Sequence, residues 1–274
     1  MQRVNRHRLI LVLLVSVFVV SAAGWVALHS TITRHSADGA YIRAVLARDP
    51  IATLGALKDG ADPNATLSCL NAFGLRDGVF NHTSPTGLLL AAGWRDAPRS
   101  ETIFQDIPEN FDVVRVIVEH GGALNATDSA GETALMIAAS THHQQTLDYL
   151  LSKGADFKVA DKGGWTAWSL SYHREHYLIS LIHAGQDVNQ RDTNGGTAVT
   201  HAAGSDCSAI LRLLLTNHAD VNIRDSEGHT ALWIARSGRN YMLGANESTV
   251  PDRAAKLRRN AEVIRLLERA GARL

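Results

Sequence analysis

Apolar residues fall in short paired bursts along most of the chain. Leu135, Ile137, Ala138 and Ala139 form one burst, and Leu147, Leu150 and Leu151 form the next. The pattern returns at Val199, Ala202 and Ala203, followed by Ile210, Leu211, Leu214 and Leu215. Spacings of three and four residues put each burst on one face of a helix. The bursts are brief and separated by polar, glycine-bearing stretches, so the pattern predicts pairs of short helices. Between the pairs one phrase recurs, D-x-x-G-x-T-A, beginning at Asp128, Asp161, Asp192 and Asp225, with its threonines 33, 31 and 33 residues apart. A period in the low thirties marks an array of stacked supersecondary units. Gly131, Gly164, Gly195 and Gly228 suit a tight turn with positive φ. The threonines suit helix N-caps. A closing signature follows each pair, at Gly154-Ala155-Asp156, Gly185-Gln186-Asp187-Val188-Asn189 and His218-Ala219-Asp220-Val221-Asn222, where glycine fits a helix C-cap.

These two signatures resemble the ankyrin-repeat family, whose unit is a β-turn followed by two antiparallel helices. The resemblance implies an all-α solenoid of about six helix-turn-helix units joined by β-turns, near 38–66, 84–127, 128–160, 161–191, 192–224 and 225–274. This chain departs from the family's Thr-Pro-Leu-His: alanine follows Thr133, Thr166, Thr197 and Thr230. The family's structural histidine is replaced by Leu89, Met136, Ser169, Thr200 and Trp233. That questions local hydrogen bonding rather than the fold.

The period fails in four places. Asp156, Asp187 and Asp220 each precede the next threonine by ten residues, whereas Asp62 precedes Thr86 by 24. The extra residues fall within Leu67 to Ser84, where Asp77-Gly78 between apolar residues signals a hairpin. A second insertion lies in Trp94 to Asn110, where Pro98 and Pro108 exclude a continuous helix. The fourth unit is two residues short, and bulky Trp168 and Tyr172 stand where other units are small. In the sixth, Ser237 to Arg259 is expected to loop between helices, the second running Ala261 to Ala270. Glu268 there replaces an apolar residue, as befits a terminal cap.

Ahead of the repeats, basic Arg3, Arg6 and Arg8 in residues 1–8 precede an uncharged stretch, 9–28, and a polar linker, 29–37, leads to a repeat domain at 38–274. Twenty helical residues rise about 30 Å, enough to span a bilayer. The basic flank predicts a cytoplasmic N-terminus, with the repeats on the periplasmic or exoplasmic side of the cytoplasmic membrane. A cleavable signal is the alternative, with Ser21-Ala22-Ala23 as the cleavage region and a soluble periplasmic product. Lysine plus arginine and aspartate plus glutamate number 27 each; this balance excludes a strongly basic nucleic-acid binder. The two cysteines, Cys69 and Cys207, lie about three stacked units apart in the repeat register. That is beyond the roughly 7 Å that a disulfide allows between Cα atoms.

No sequence motif specifies catalysis, a cofactor or a metal. His142, His143, His173, His176 and Cys207 near successive helix turns admit a metal-dependent hydrolase as the contrasting class. Zinc, however, needs three or four converging ligands. The resemblance implies instead a monomeric, non-catalytic module that binds a protein through the concave face of turn tips and first helices. By position this selects Trp165, Glu132, His229, Lys162, His173 and Arg174. The insertions add Phe73, Arg76, Phe80, Trp94, Phe104 and Tyr241, because long loops in compact folds tend to carry function. Inhibitor or immunity-type and scaffold roles both fit such a module.

Overall fold

A computed structural model describes residues 37–66, 85–93, 109–244 and 252–274. The apolar stretch 9–28, the hairpin expected in 67–84 and most of the insertion after Gly93 lie outside the described residues, with Phe73, Arg76, Phe80, Trp94 and Phe104 among them. The described residues form pairs of helices. The first pair is α1 (37–46) and α2 (Pro50–Lys58), and the second is α3 (Gly87–Ala91) and α4 (Phe111–Glu119). Next come α5 (Ala134–Thr141) with α6 (Gln144–Ser152), and α7 (Ala167–Leu170) with α8 (Glu175–His183). The fifth pair is α9 (Ala198–Gly204) and α10 (Ser208–Thr216), and the sixth is α11 (Ala231–Gly244) and α12 (Arg253–Arg269). In the second, third, fifth and sixth pairs the first helix packs on its own second helix. The second helices also pack on one another in chain order. The result is a helical repeat solenoid with an inner row of first helices and an outer row of second helices. Among the described residues, extended pairing is limited to two isolated bridges, Thr66 with Thr86 and Thr127 with Thr133.

The core runs continuously through this stack. Ala138, Ala139, Ala202 and Ala203 are buried where helices approach closely, and Leu147, Leu150, Leu211 and Leu214 fill the space between the rows. The threonine hydroxyls of Thr133, Thr166 and Thr230 accept the amides of Met136, Ser169 and Trp233, each at 3.3 Å. The glycine of the phrase has a stricter duty at position 195. Its φ is +71°, and a Cβ there would meet the Ser226 amide at 2.9 Å, so successive turns stack too tightly for a side chain.

A second set of bonds joins one pair to the next. The Asn64 Oδ1 accepts the Ala123 amide at 2.7 Å, Asn125 the Asp156 amide at 2.9 Å and Asn189 the Asp220 amide at 2.8 Å. Asn222 accepts the Arg273 amide at 2.8 Å and ties down the C-terminal end. Asn64 and Asn125 head glycosylation-type tripeptides, yet both side chains are occupied in this ladder. The corresponding residue between the third and fourth pairs is Lys158, which has no acceptor to offer.

The fourth pair is irregular. Its α7 has only four residues, and Trp168 and Tyr172 are buried edge to face, ring centroids 6.0 Å apart. Burial pushes the Tyr172 phenol well above its ordinary range, with the Asp192 carboxylate the second cause. Among the described residues, Trp168 Nε1, Tyr172 OH and the Oε1 of buried Gln186 have no hydrogen-bond partner.

The sixth pair corrects the sequence-based expectation. Most of Ser237 to Arg259 is helix rather than loop: α11 continues to Gly244 and α12 begins at Arg253. Arginine, alanine, lysine and leucine make up the added start of α12, Arg253 to Arg259, and favour helix. Met242 and Asn260 are buried in this pair.

Replacing Lys158 with asparagine supplies the missing acceptor opposite the Asp187 amide. Lys158→Asn is expected to raise unfolding free energy by about 0.5–1 kcal/mol, and Asn189→Ala to lower it by a similar amount. Urea denaturation of both variants reads this directly. Equal midpoints for all three proteins would remove the ladder from the stability argument.

Candidate protein-binding surface

The inner-row surface is assembled from four copies of one turn. In each, the aspartate that opens the phrase accepts two amides on one carboxylate oxygen. Asp161 Oδ1 takes Gly163 and Trp165, each at 2.8 Å. Asp192 takes Asn194 and Gly196 at 2.8 and 2.9 Å, and Asp225 takes Glu227 and His229 at 3.0 and 2.8 Å. Asp128 makes the same pair of bonds to Ala130 and Glu132, both 2.9 Å. Charge-assisted bonds of this kind fix a loop firmly. They place the residue before each threonine, namely Glu132, Trp165, Gly196 and His229, in one register along the surface.

What those places carry differs from pair to pair. Trp165 is 37% exposed, an indole left at the surface by a rigid turn. Four residues beyond His229, on the start of α11, Trp233 lies flat against its imidazole with centroids 3.5 Å apart and planes 8° from parallel. Trp233 is 41% exposed. The carboxylates of Glu227 and Asp225 lie 3.4 and 3.7 Å from His229 Nδ1.

Next to the turn that carries His229 the surface dips. A notch of about 680 Å³ is lined by His173, Asp192, His201, Ser205, Glu227 and Ile234, among others. The lack of side chains at Gly196 and Gly204 helps open it. His201 Nε2 lies 2.6 Å from the free oxygen of Asp192, whose side chain is almost fully buried, and the His201 ring sits 4.4 Å from that of Tyr172. His173, at the end of the first helix of the fourth pair, reaches Ser205 Oγ at 3.4 Å. The notch therefore takes walls from the fourth, fifth and sixth pairs. Its acceptors and imidazoles suit a polar or cationic side chain, and the exposed Trp233 stacked on neighbouring His229 suits an apolar one.

The structure brings together His229, His173 and the notch, which sequence spacing alone did not do. Trp165 and the exposed Lys162 stand one repeat away; the Lys162 amide donates to the Ala130 carbonyl at 2.9 Å and locks adjacent turns. Glu132 is half-buried in the third turn. Arg174 is turned to another use, its guanidinium hydrogen-bonded to His142 in the preceding helix connection. Tyr241 is 69% exposed on the extension of α11 rather than in a loop. Three contributors escaped the sequence reading: Asp192, His201 and Trp233. The signal for Trp233 was present, since His229 and Trp233 are four apart at a helix start and so share a face.

The histidines near the helix connections do not converge. His143 is buried with Nδ1 3.0 Å from the Ala92 carbonyl, and among the described residues no three side chains are placed to hold a metal ion. Cys207 is a free, half-buried thiol preceding α10, and Cys69 lies outside the described residues.

Asp192 and Glu227 line the same notch with different expected roles. Asp192→Ala strips two amides and His201 of their acceptor, and a loss of about 2–3 kcal/mol is expected in urea denaturation. Glu227→Gln, on an exposed turn, should stay within about 0.5 kcal/mol. An aspartate variant as stable as the wild type would contradict the turn's role in holding this surface.

Comparison with known proteins agrees with this architecture. Residues 105–161 and 167–245 match the profile for ankyrin repeats (3 copies). A putative ankyrin repeat-containing protein of Treponema pallidum is 26% identical over 130 residues, 46% of this chain and 44% of that one. The neurogenic locus notch homolog protein 1 of Mus musculus is 32% identical over 128 residues, 45% of this chain and 5% of that protein. An L-asparaginase of Dirofilaria immitis is 28% identical over 136 residues, 49% of this chain and 23% of the enzyme. The chain thus spans less than half the length of each of these relatives. The two-row stack of helix pairs, the recurring aspartate turns and the matched profile together show that the chain belongs to the ankyrin-repeat family.

Proposed function

We propose that this protein is a non-catalytic adaptor that holds another protein against the inner-row face of its last three helix pairs. Membership of a family built for protein–protein interaction supports the general class. The notch flanked by the stacked His229–Trp233 pair carries the specific reading. Tryptophans left half-exposed by rigid turns cost little entropy to order and act as anchors at interfaces. Here they stand near polar groups that fix orientation. The similarity to an L-asparaginase covers 23% of that enzyme, and its activity does not transfer to this chain. Among the described residues no three histidine, cysteine or carboxylate side chains converge, which weighs against the metal-dependent hydrolase alternative.

Within this reading, two finer versions differ in what the partner is. In an inhibitor or immunity-type role, the insertion spanning 67–84 would plug a cleft on the partner, with Phe73, Arg76 and Phe80 at its tip. In a scaffold role, the inner-row face would carry an exported enzyme. We take residues 9–28 as a retained anchor with the repeats on the exoplasmic side, and cleavage near Ala23 as the competing outcome. No helix among the described residues is long and apolar enough to cross a membrane, and residues 9–28 lie outside them.

Two measurements test the proposal. In crosslinked pull-downs from the native membrane fraction, the double variant Trp165→Ala, Trp233→Ala is expected to lose partner capture by at least about tenfold while melting as the wild type does. Undiminished capture would move the interface elsewhere, and replacing Leu70–Asn81 by a short turn would then show whether the first insertion holds it. Alkaline carbonate extraction with protease protection tests the anchor. A carbonate-resistant, full-length chain whose repeats are digested from the exoplasmic side is expected. A shortened chain in the soluble fraction would instead establish cleavage.

A further inference from the structure

The outer-row side of the sixth helix pair carries a second surface, apart from the notch. From Asp252 to Leu274 seven cations stand against three carboxylates, in a chain whose formal net charge is zero. The excess is organised. Arg258, Arg265 and Arg269 recur at seven and four residues along α12, so they share one helical face. Arg212 reaches the same face from α10. Together they line a groove of about 510 Å³ between the last two outer-row helices. Leu257, Ala261 and Leu266, all half-buried, line it as well.

The electrostatics of the groove are not balanced internally. Glu262 is the carboxylate within it, and Arg212 already holds that group at 2.6 Å. A hydrogen bond from Arg212, followed by one from Ser208 and the charges of Arg212 and Arg265, keeps the Glu262 carboxyl below the usual carboxylate range, so one carboxylate faces four guanidinium groups. Among the described residues Arg258, Arg265 and Arg269 make no ion pair or hydrogen bond, and all three are exposed. Self-repelling guanidinium groups on one face have no packing purpose, since lysine, glutamine or glutamate would serve a solvated face equally well. One end of the groove is also additional to the repeat. α12 has 17 residues where the outer helices α4, α6, α8 and α10 have nine, and Leu257 and Arg258 belong to the added N-terminal turns.

We infer that this arginine-lined groove between α10 and α12 docks an acidic, amphipathic peptide segment of a partner protein. The row from Arg258 to Arg269 spans about 16 Å of helix. Guanidinium groups spaced along it match carboxylates on a segment about three helical turns long, each pairing through two N–H donors. The half-buried leucines between them accept apolar side chains from the same segment. A phosphate ion or a lipid headgroup would engage the arginines at one point and leave the apolar strip unused, so the linear arrangement favours a peptide. The site is independent of the notch, because no residue lines both. It therefore permits two simultaneous contacts on one solenoid.

Full-length chain in neutral phosphatidylcholine nanodiscs provides the test. The probe is a fluorescein-labelled helical peptide of about twelve residues built from glutamate and leucine, long enough to cover the arginine row. Saturable, salt-sensitive binding by fluorescence anisotropy is expected. The triple variant Arg258→Gln, Arg265→Gln, Arg269→Gln should bind at least about tenfold more weakly with an unchanged melting temperature. Leu257→Ser alone should weaken binding several-fold. Absence of saturable binding, or binding indifferent to the triple variant, overturns the proposal. So does equal competition by a glutamate peptide without leucines, by dihexanoyl phosphatidylglycerol or by a single-stranded oligonucleotide, each of which would make the groove a general anion surface. Loss of inner-row capture in the tryptophan double variant leaves this measurement untouched, so the two readings fail separately.

Discussion

A helix pair of this size cannot bury its own apolar face. Leu147 and Leu150 of α6 are fully enclosed only because α4 and α8 stand on either side, and Leu211 and Leu214 of α10 depend in the same way on α8 and α12. Every other property of the molecule follows from that dependence. Stability in such a stack is approximately a sum of intrinsic terms and nearest-neighbour terms. The contacts between pairs therefore matter more than anything within one pair. Three kinds of contact recur at the junctions: apolar packing, the asparagine ladder on one edge and the turn-to-turn bonds on the other. Where a side chain at the ladder position cannot accept, as at Lys158, the junction rests on the other two.

The same logic explains what could be read from sequence. Apolar spacing, turn glycines and capping threonines are local requirements repeated in every unit, so the helices from Ala134 to Thr216 and their connections were legible. Two things were not. One was the carboxylate of the D-x-x-G turn, whose two amide bonds lie within its own loop and leave no periodic apolar signature. The other was the sixth pair, where a regular repeat length suggested a loop. There, helix propensity in Arg253–Arg269 and the burial of Met242 and Asn260 prevailed over the period. The exposed surface was legible only in part. Position before each threonine located Trp165 and His229, but the notch depends on absent side chains at Gly196 and Gly204, and on an Asp192–His201 pair nine residues apart. Such a contact is specified by the fold rather than by spacing.

The fourth pair is where these threads meet. Its inner helix is four residues long, the ladder bond before it is missing, and Trp168 Nε1, Tyr172 OH and Gln186 Oε1 lack partners among the described residues. A buried polar group left unsatisfied costs about 1–3 kcal/mol. The junction before this pair also lacks one of the three recurring contacts. The notch lies on the pair's other side: His173 comes from the fourth pair, Asp192, His201 and Ser205 from the fifth, and Glu227 and Ile234 from the sixth. A ligand that contacts all three binds the stacked form and not the separated one. By mass action it must stabilise the joint by an amount set by its concentration relative to its dissociation constant. A partner held across the fourth, fifth and sixth pairs would thereby add to the nearest-neighbour contacts on which the stack depends, and its capture would stiffen that end of the array.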